Sequence, residues 1–197
     1  MMNKKSLKGD LYMENMYSTN ELVNDFTKRR KVLVYGEINN KLALDVMLIL
    51  SKLEQENSTE PIYLFIDSPG GSIQAGLSII DAMNYVKPPV YTFCYSMAAS
   101  MAAVILSAGE KRFAFEHSTV MIHQPLTGLG DVIKQSDLSD AAKKLEETRK
   151  RVEELLAKST KGKTSIQEMH KACEKDNYLT AEQALKMGLV DEIISKK

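Results

Sequence analysis

Residues 62–94 read IYLFIDSPGGSIQAGLSIIDAMNYVKPPVYTFC, and this stretch decides the architecture. The run 62–67 (IYLFID) is rich in β-branched and aromatic side chains, the composition of a buried strand. It halts at Ser68-Pro69-Gly70-Gly71, through which no regular element continues. From Ser72 to Tyr85 the apolar residues recur at helical spacing, and 90–94 reads as a strand again. Strand, helix and strand within about thirty residues form a βαβ unit, whose crossover lays the two strands side by side and parallel.

The same alternation extends outward. Residues 31–35 (KVLVY) predict a strand and 40–56 an amphipathic helix before the unit. After it come a helix over 98–108, apolar on nearly all sides and therefore buried, and short strands at 112–115 and 119–123. The expectation is an α/β fold with a parallel sheet. Ser18-Thr19-Asn20-Glu21 has capping-box spacing and opens a first helix, whereas residues 1–17 carry no periodicity and are expected to form an N-terminal arm on a single domain at 18–197. Past Pro125 the chain becomes irregular and glycine-containing, then predicts a long charged helix over 137–158 with Glu146–Lys150 and Glu147–Arg151 spaced to pair. Helices near 165–175 and 180–187 and a strand at 189–194 complete the chain.

Composition narrows the function classes. The 197 residues carry 26 basic and 26 acidic side chains, so net charge argues for neither nucleic acid nor an anionic membrane as partner. Two distant cysteines, Cys94 and Cys173, make no metal or disulfide framework. With no secretory pattern and no apolar run of about 20 residues, a cytoplasmic setting is expected.

Ser100 lies within 97–108 (MAASMAAVILSA), among small residues and near the start of an apolar helix. Unpaired N–H groups at such a start favour the negative charge of an acyl-transfer intermediate. The segment MIHQP at 121–125 supplies His123 at the end of a buried strand, a better base than His117 in a polar turn or His170 on a charged helix. Gly71 can bring a backbone N–H close to a ligand, and the N–H of Met101 can provide a second oxyanion donor. For an orienting acid, spacing leaves Asp67, Asp81, Asp176 and Asp191 open. Gly162-Lys163-Thr164 lacks the first glycine of a phosphate loop, and no Gly-x-Ser-x-Gly elbow is present.

The segments IYLFIDSPGGS, MAASMAA, VMIHQPL and EKDNYLTAEQALKMGLVDEI, in this order between about Lys31 and Ile194, resemble the Clp peptidase family (ClpP), the proteolytic component of ATP-dependent Clp proteases. The resemblance implies a ClpP/crotonase-like spiral of βαβ units with a projecting handle at about 126–158. It also implies that Ser100 is the nucleophile, His123 the base, Asp176 the orienting acid, and Gly71 and Met101 the oxyanion donors, with no cofactor or metal. The expected function is a serine endopeptidase acting on peptides and unfolded proteins inside two stacked heptameric rings. A Clp AAA+ ATPase would feed it, docking near Tyr63, Phe65 and Tyr91. The chain departs from the family in its N-terminal segment, at Tyr95-Ser96-Met97 and Ala102, at Thr127-Gly128-Leu129-Gly130-Asp131, and at Lys175 in place of an arginine, as a divergent paralogue would. A weakly active or structural subunit of a mixed assembly is the alternative. A crotonase-like acyl-CoA enzyme shares the fold but needs no serine nucleophile.

Overall fold

The structure is a computed structural model that describes residues 19–126 and 135–195. The expected arm at 1–17 and the segment Thr127-Gly128-Leu129-Gly130-Asp131 of the expected handle lie outside the described residues.

Among the described residues seven strands form one sheet: β1 (Lys31–Tyr35), β2 (Ile62–Ser68), β3 (Val90–Ala99), β4 (Lys111–Phe115), β5 (Thr119–Ile122), β6 (Asn177–Thr180) and β7 (Glu192–Ile194). Helices α1 (Thr19–Lys28), α2 (Asn40–Glu56), α3 (Ile73–Tyr85) and α4 (Met101–Ser107) alternate with the first strands, and α5 (Gln135–Ser159), α6 (Ile166–Cys173) and α7 (Ala181–Met187) follow β5. The order β1-β2-β3-β4-β7 is parallel throughout. β3 is long enough to serve two neighbours, pairing β4 at 91–94 and β5 at 97–99. β6 then adds antiparallel to β5, so the sheet is mixed where the sequence predicts a parallel one. A four-residue strand between two helices is too short to show a period of two.

The period is plain in β2, where Ile62, Leu64 and Ile66 are fully buried and Tyr63, Phe65 and Asp67 alternate on the half-covered face. The first set packs with Val32, Val34, Leu50, Leu53 and Ile79 into the core beneath α2 and α3. Helix ends follow local chemistry. Asn39 and Ser72 accept N–H bonds from Leu42 and Ala75, Ser165 and Thr180 form capping boxes with Glu168 and Gln183, and Gly188 closes α7 at φ +83°.

One expected boundary is corrected. The buried helix begins at Met101, not Ala98, because Ala98 and Ala99 belong to β3. Ala98 pairs with Ser68 on one side and Val120 on the other, and ladder bonds on both sides outweigh alanine's preference for helix.

Helix α5 spans more than predicted, and its character changes along its length. Residues 137–140 are exposed, whereas Val152, Glu153 and Leu156 are buried against the body. The Glu146–Lys150 pair forms at 3.5 Å. Arg149 links Glu146 and Glu153, each at 2.6 Å. At the far end Arg112, 2% exposed, donates to the Ser159 and Gly188 carbonyls and pairs with Asp191 at 2.6 Å, fixing the helix terminus through its free carbonyl end.

Candidate active site

The turn between β3 and α4 holds a non-glycine residue at positive φ. Ser100 has φ +56° and ψ −124°, a conformation that L-residues avoid, and it precedes a helix whose residues are all buried. Such a conformation costs about 1–3 kcal/mol and survives only where the surroundings over-determine it. Here Ala98 and Ala99 are locked in register with Val120 and Met121. The Ser100 N–H donates to the Met121 carbonyl at 2.8 Å, and the Ser100 carbonyl accepts from Ala103 at 3.0 Å. The outcome is a serine hydroxyl lifted out of both strand and helix.

His123 immediately follows β5, the strand that also anchors the serine turn. Its Nε2 lies 2.8 Å from Ser100 Oγ, and its side chain is 10% exposed. The adjoining backbone is tied to the end of α6, since Gln124 N–H donates to the Cys173 carbonyl at 2.8 Å. On the other side of the ring, Nδ1 lies 3.4 Å from Oδ1 of Asp176. The β5–β6 ladder accounts for this neighbour. Ile122 pairs with Asn177, so in an antiparallel register the next residue of β5 faces the preceding one of β6, His123 opposite Asp176. Asp176 itself is 63% exposed.

Of the acids left open by spacing, Asp176 is the one that adjoins this histidine among the described residues. Asp191 serves Arg112, whose guanidinium beside it holds the carboxyl down to about 2. His117 is exposed in its turn, and His170 contacts Glu153 on α5. Neither cysteine is a competing nucleophile, because burial pushes the Cys94 thiol up to about 11 and the Cys173 thiol up to about 12.

The two glycines lie beside the serine turn. A Cβ on Gly70, at φ +96°, would come within 2.7 Å of the Ala99 carbonyl and of Ser100 Cβ, and 3.1 Å from Met101 N. A Cβ on Gly71 would strike the Ile38 backbone. Only glycine permits both approaches. The bridge between Ile38 and Gly71 uses the N–H groups of Ile38 and Ser72, leaving that of Gly71 outside it. Met101 N–H is the first of α4, where no carbonyl one turn earlier is available. A pocket beside Ser100 and His123 is lined by Ile73, Met101, Val104, Ile122, Pro125, Val152 and Leu156, almost entirely apolar.

Tyr63, Phe65 and Tyr91 lie elsewhere, on the sheet face away from the core. With Phe93 and Phe113 they form a continuous ring layer, the Phe65–Phe93 and Phe93–Phe113 pairs stacked with centroids 4.7 Å apart. Lys31 and Lys111 lie over its edges. Among the described residues no group of three His, Cys, Asp or Glu side chains is arranged to hold a metal ion, and no helix is long and apolar enough to cross a membrane.

Sequence reasoning missed the serine turn, strand β6 and the buried Arg112. For the last the sequence carried no signal, since its alternate neighbours are the charged Glu110 and Ala114.

Comparison with known proteins gives a consistent result. The family model for Clp protease matches residues 14–197. The proteins named ATP-dependent Clp protease proteolytic subunit from Streptococcus pyogenes serotype M5 (strain Manfredo) and Streptococcus equi subsp. equi (strain 4047) are each 40% identical to this chain over 176 residues, which is 88% of this chain and 89% of theirs.

Proposed function

The chain belongs to the Clp protease family, and we propose that it is a serine endopeptidase with Ser100 as nucleophile, His123 as base and Asp176 as orienting acid. The observation that carries this reading is the 2.8 Å approach of Ser100 Oγ to His123 Nε2 at a serine held in a strained turn. In the proposed reaction Ser100 Oγ attacks the scissile carbonyl and its proton passes to Nε2. The carbonyl oxygen becomes an oxyanion facing the N–H groups of Met101 and Gly71. His123 then returns the proton to the departing amine, leaving an acyl group on Ser100, and a water activated in the same way releases it. Asp176 favours the Nδ1–H tautomer and the imidazolium that forms between steps. The apolar pocket receives the side chain on the acyl side of the scissile bond.

Ordinary peptides and unfolded proteins are the proposed substrates. The relatives' name implies an ATPase partner, and a Clp ATPase docking on the aromatic layer at Tyr63, Phe65 and Tyr91 is the corresponding proposal here. Self-assembly into two stacked heptameric rings, with α5 in the handle, completes it. The exposure of Asp176 favours one alternative, a weakly active subunit whose acid is ordered by a neighbour in a mixed assembly. Labelling with a fluorophosphonate separates the two readings. Rapid modification of the purified chain, lost in Ser100→Ala, is expected. No labelling of the assembled wild type, or labelling that persists in the variant, overturns the proposal.

A further inference from the structure

Helix α3 carries a glycine, Gly76, in its interior, where alanine would serve the helix better. Its backbone has ordinary helical angles, so no left-handed turn requires it. What requires it is Met101. A Cβ built on Gly76 overlaps Met101 Cγ and would lie 2.8 Å from Cε and 3.0 Å from Sδ. The methionine side chain is therefore seated along bare helix backbone, 2% exposed, with Ile73 one turn away on α3 and both residues lining the apolar pocket.

We infer that Gly76 is a positioning residue for the proposed peptidase reaction. It provides the seat that keeps the Met101 side chain out of the substrate pocket and so sets the size of substrate side chain that pocket accepts. The inference rests on Ser100 being the nucleophile. Because the overlap begins at Cγ, close to the backbone, rotation about the far bonds of methionine does not relieve it. A methyl at position 76 drives the side chain to another χ1 rotamer or moves the start of α4. Met101 lines the same pocket as Val104 and Leu156, so a side chain forced off its seat has that pocket beside it. The first effect is loss of room for a large substrate side chain. The second is a tilt of the Met101 N–H that faces the oxyanion.

The test compares Gly76→Ala with the double variant Gly76→Ala/Met101→Ala, using two peptides that differ only in alanine or leucine before the scissile bond, and fluorophosphonate labelling in parallel. Gly76→Ala should lower kcat/KM about 10-fold more for the leucine peptide than for the alanine peptide, chiefly through KM. Adding Met101→Ala should restore the ratio, since no side chain then competes with the new methyl. An unchanged ratio in folded Gly76→Ala, or an equal loss on both peptides that Met101→Ala fails to relieve, overturns the inference. Should Gly76→Ala not fold, the double variant decides, because removing the Met101 side chain removes the overlap and must restore both folding and the wild-type ratio, and a double variant that stays unfolded overturns the seat. Persistent labelling of Ser100→Ala would instead strike the proposed nucleophile.

Discussion

Ser100 and Asp176 flank the same imidazole, but the molecule holds them by different means. On the Ser100 side, β3, β5 and α4 are fixed by ladder bonds and by a helix buried along its whole length. On the Asp176 side, α5 and α6 also bury Val152, Leu156, Met169 and Cys173 in the core, but charged contacts are added to that packing: Arg149 with Glu146 and Glu153 along α5, His170 with Glu153 between α5 and α6, and the buried Arg112, paired with Asp191, on the Ser159 carbonyl at the end of α5. Apolar burial neither titrates nor is screened by salt, whereas ion pairs with an exposed partner, such as Arg149 with Glu146 and Glu153 with His170, contribute about 0–1 kcal/mol and are screened. The difference locates the condition-sensitive part of the site. The nucleophile and base form a rigid pair, and the acid is attached to them through an adjustable flank.

Substitutions on the two sides should then differ in size. Ser100→Ala is expected to abolish peptide hydrolysis and probe labelling while leaving the melting temperature nearly unchanged, because the hydroxyl contributes chemistry and little packing. Asp176→Asn should cost less. A buried acid in this role costs about 10⁴-fold when converted to its amide. With water competing at a carboxylate 63% exposed, a loss of about 10²- to 10³-fold is expected in steady-state kcat/KM. Equal losses from both substitutions would remove the contrast.

The flank also makes a prediction about acid. Asp191 is held well below its ordinary 3.8, at about 2, first by hydrogen bonds from Arg112. A lowered carboxylate pKa means the folded state binds fewer protons, so its contribution is complete above about pH 4 and is lost as pH falls toward 2. In Asp191→Asn that part of the acid sensitivity should vanish. The variant should also be less stable at neutral pH by about 3 kcal/mol, because Arg112 stays buried without its counter-charge. Urea denaturation between pH 2 and 7, at one protein concentration, measures both. A variant with the wild-type pH slope would detach this ion pair from acid stability.

Much of the fold was legible because it rests on periodicity. Strands at 31–35 and 62–67 and helices at 40–56 and 72–85 each present one face to the core, and the structure has them within a residue or so. Ser100 and His123 stood out because they interrupt apolar runs. What brings Asp176 beside them is an antiparallel pairing between segments separated by two helices, and pairing of distant segments leaves no periodic trace. The positive φ of Ser100 is similarly silent, since a non-glycine residue announces nothing about the turn it is forced into. Arg112 was hidden by its type, because burial of an arginine depends on partners at Asp191, Ser159 and Gly188 that only the fold assembles.

The smallest expected effect is the most direct reading of the two flanks. Cys94 lies on the Ser100 side in β3, and Cys173 closes α6 on the Asp176 side, where its carbonyl holds Gln124. Both are fully buried, and burial raises Cys94 to about 11 and, with the Glu153 charge adding to it, Cys173 to about 12. Alkylation needs an exposed thiolate, so in the folded protein each thiol reacts only when its surroundings open. Single variants Cys94→Ser and Cys173→Ser leave one reporter apiece for iodoacetamide at pH 8. Raising salt should screen the pairs around Arg149 and speed modification of Cys173 by about 2- to 5-fold, while Cys94 stays at its low-salt rate, a difference of at most about 1 kcal/mol in opening free energy. Mass spectrometry of the intact chain follows each reaction. If Cys94 is the faster thiol, or if salt moves both rates together, the two flanks open as one unit and the distinction between a rigid pair and an adjustable acid fails.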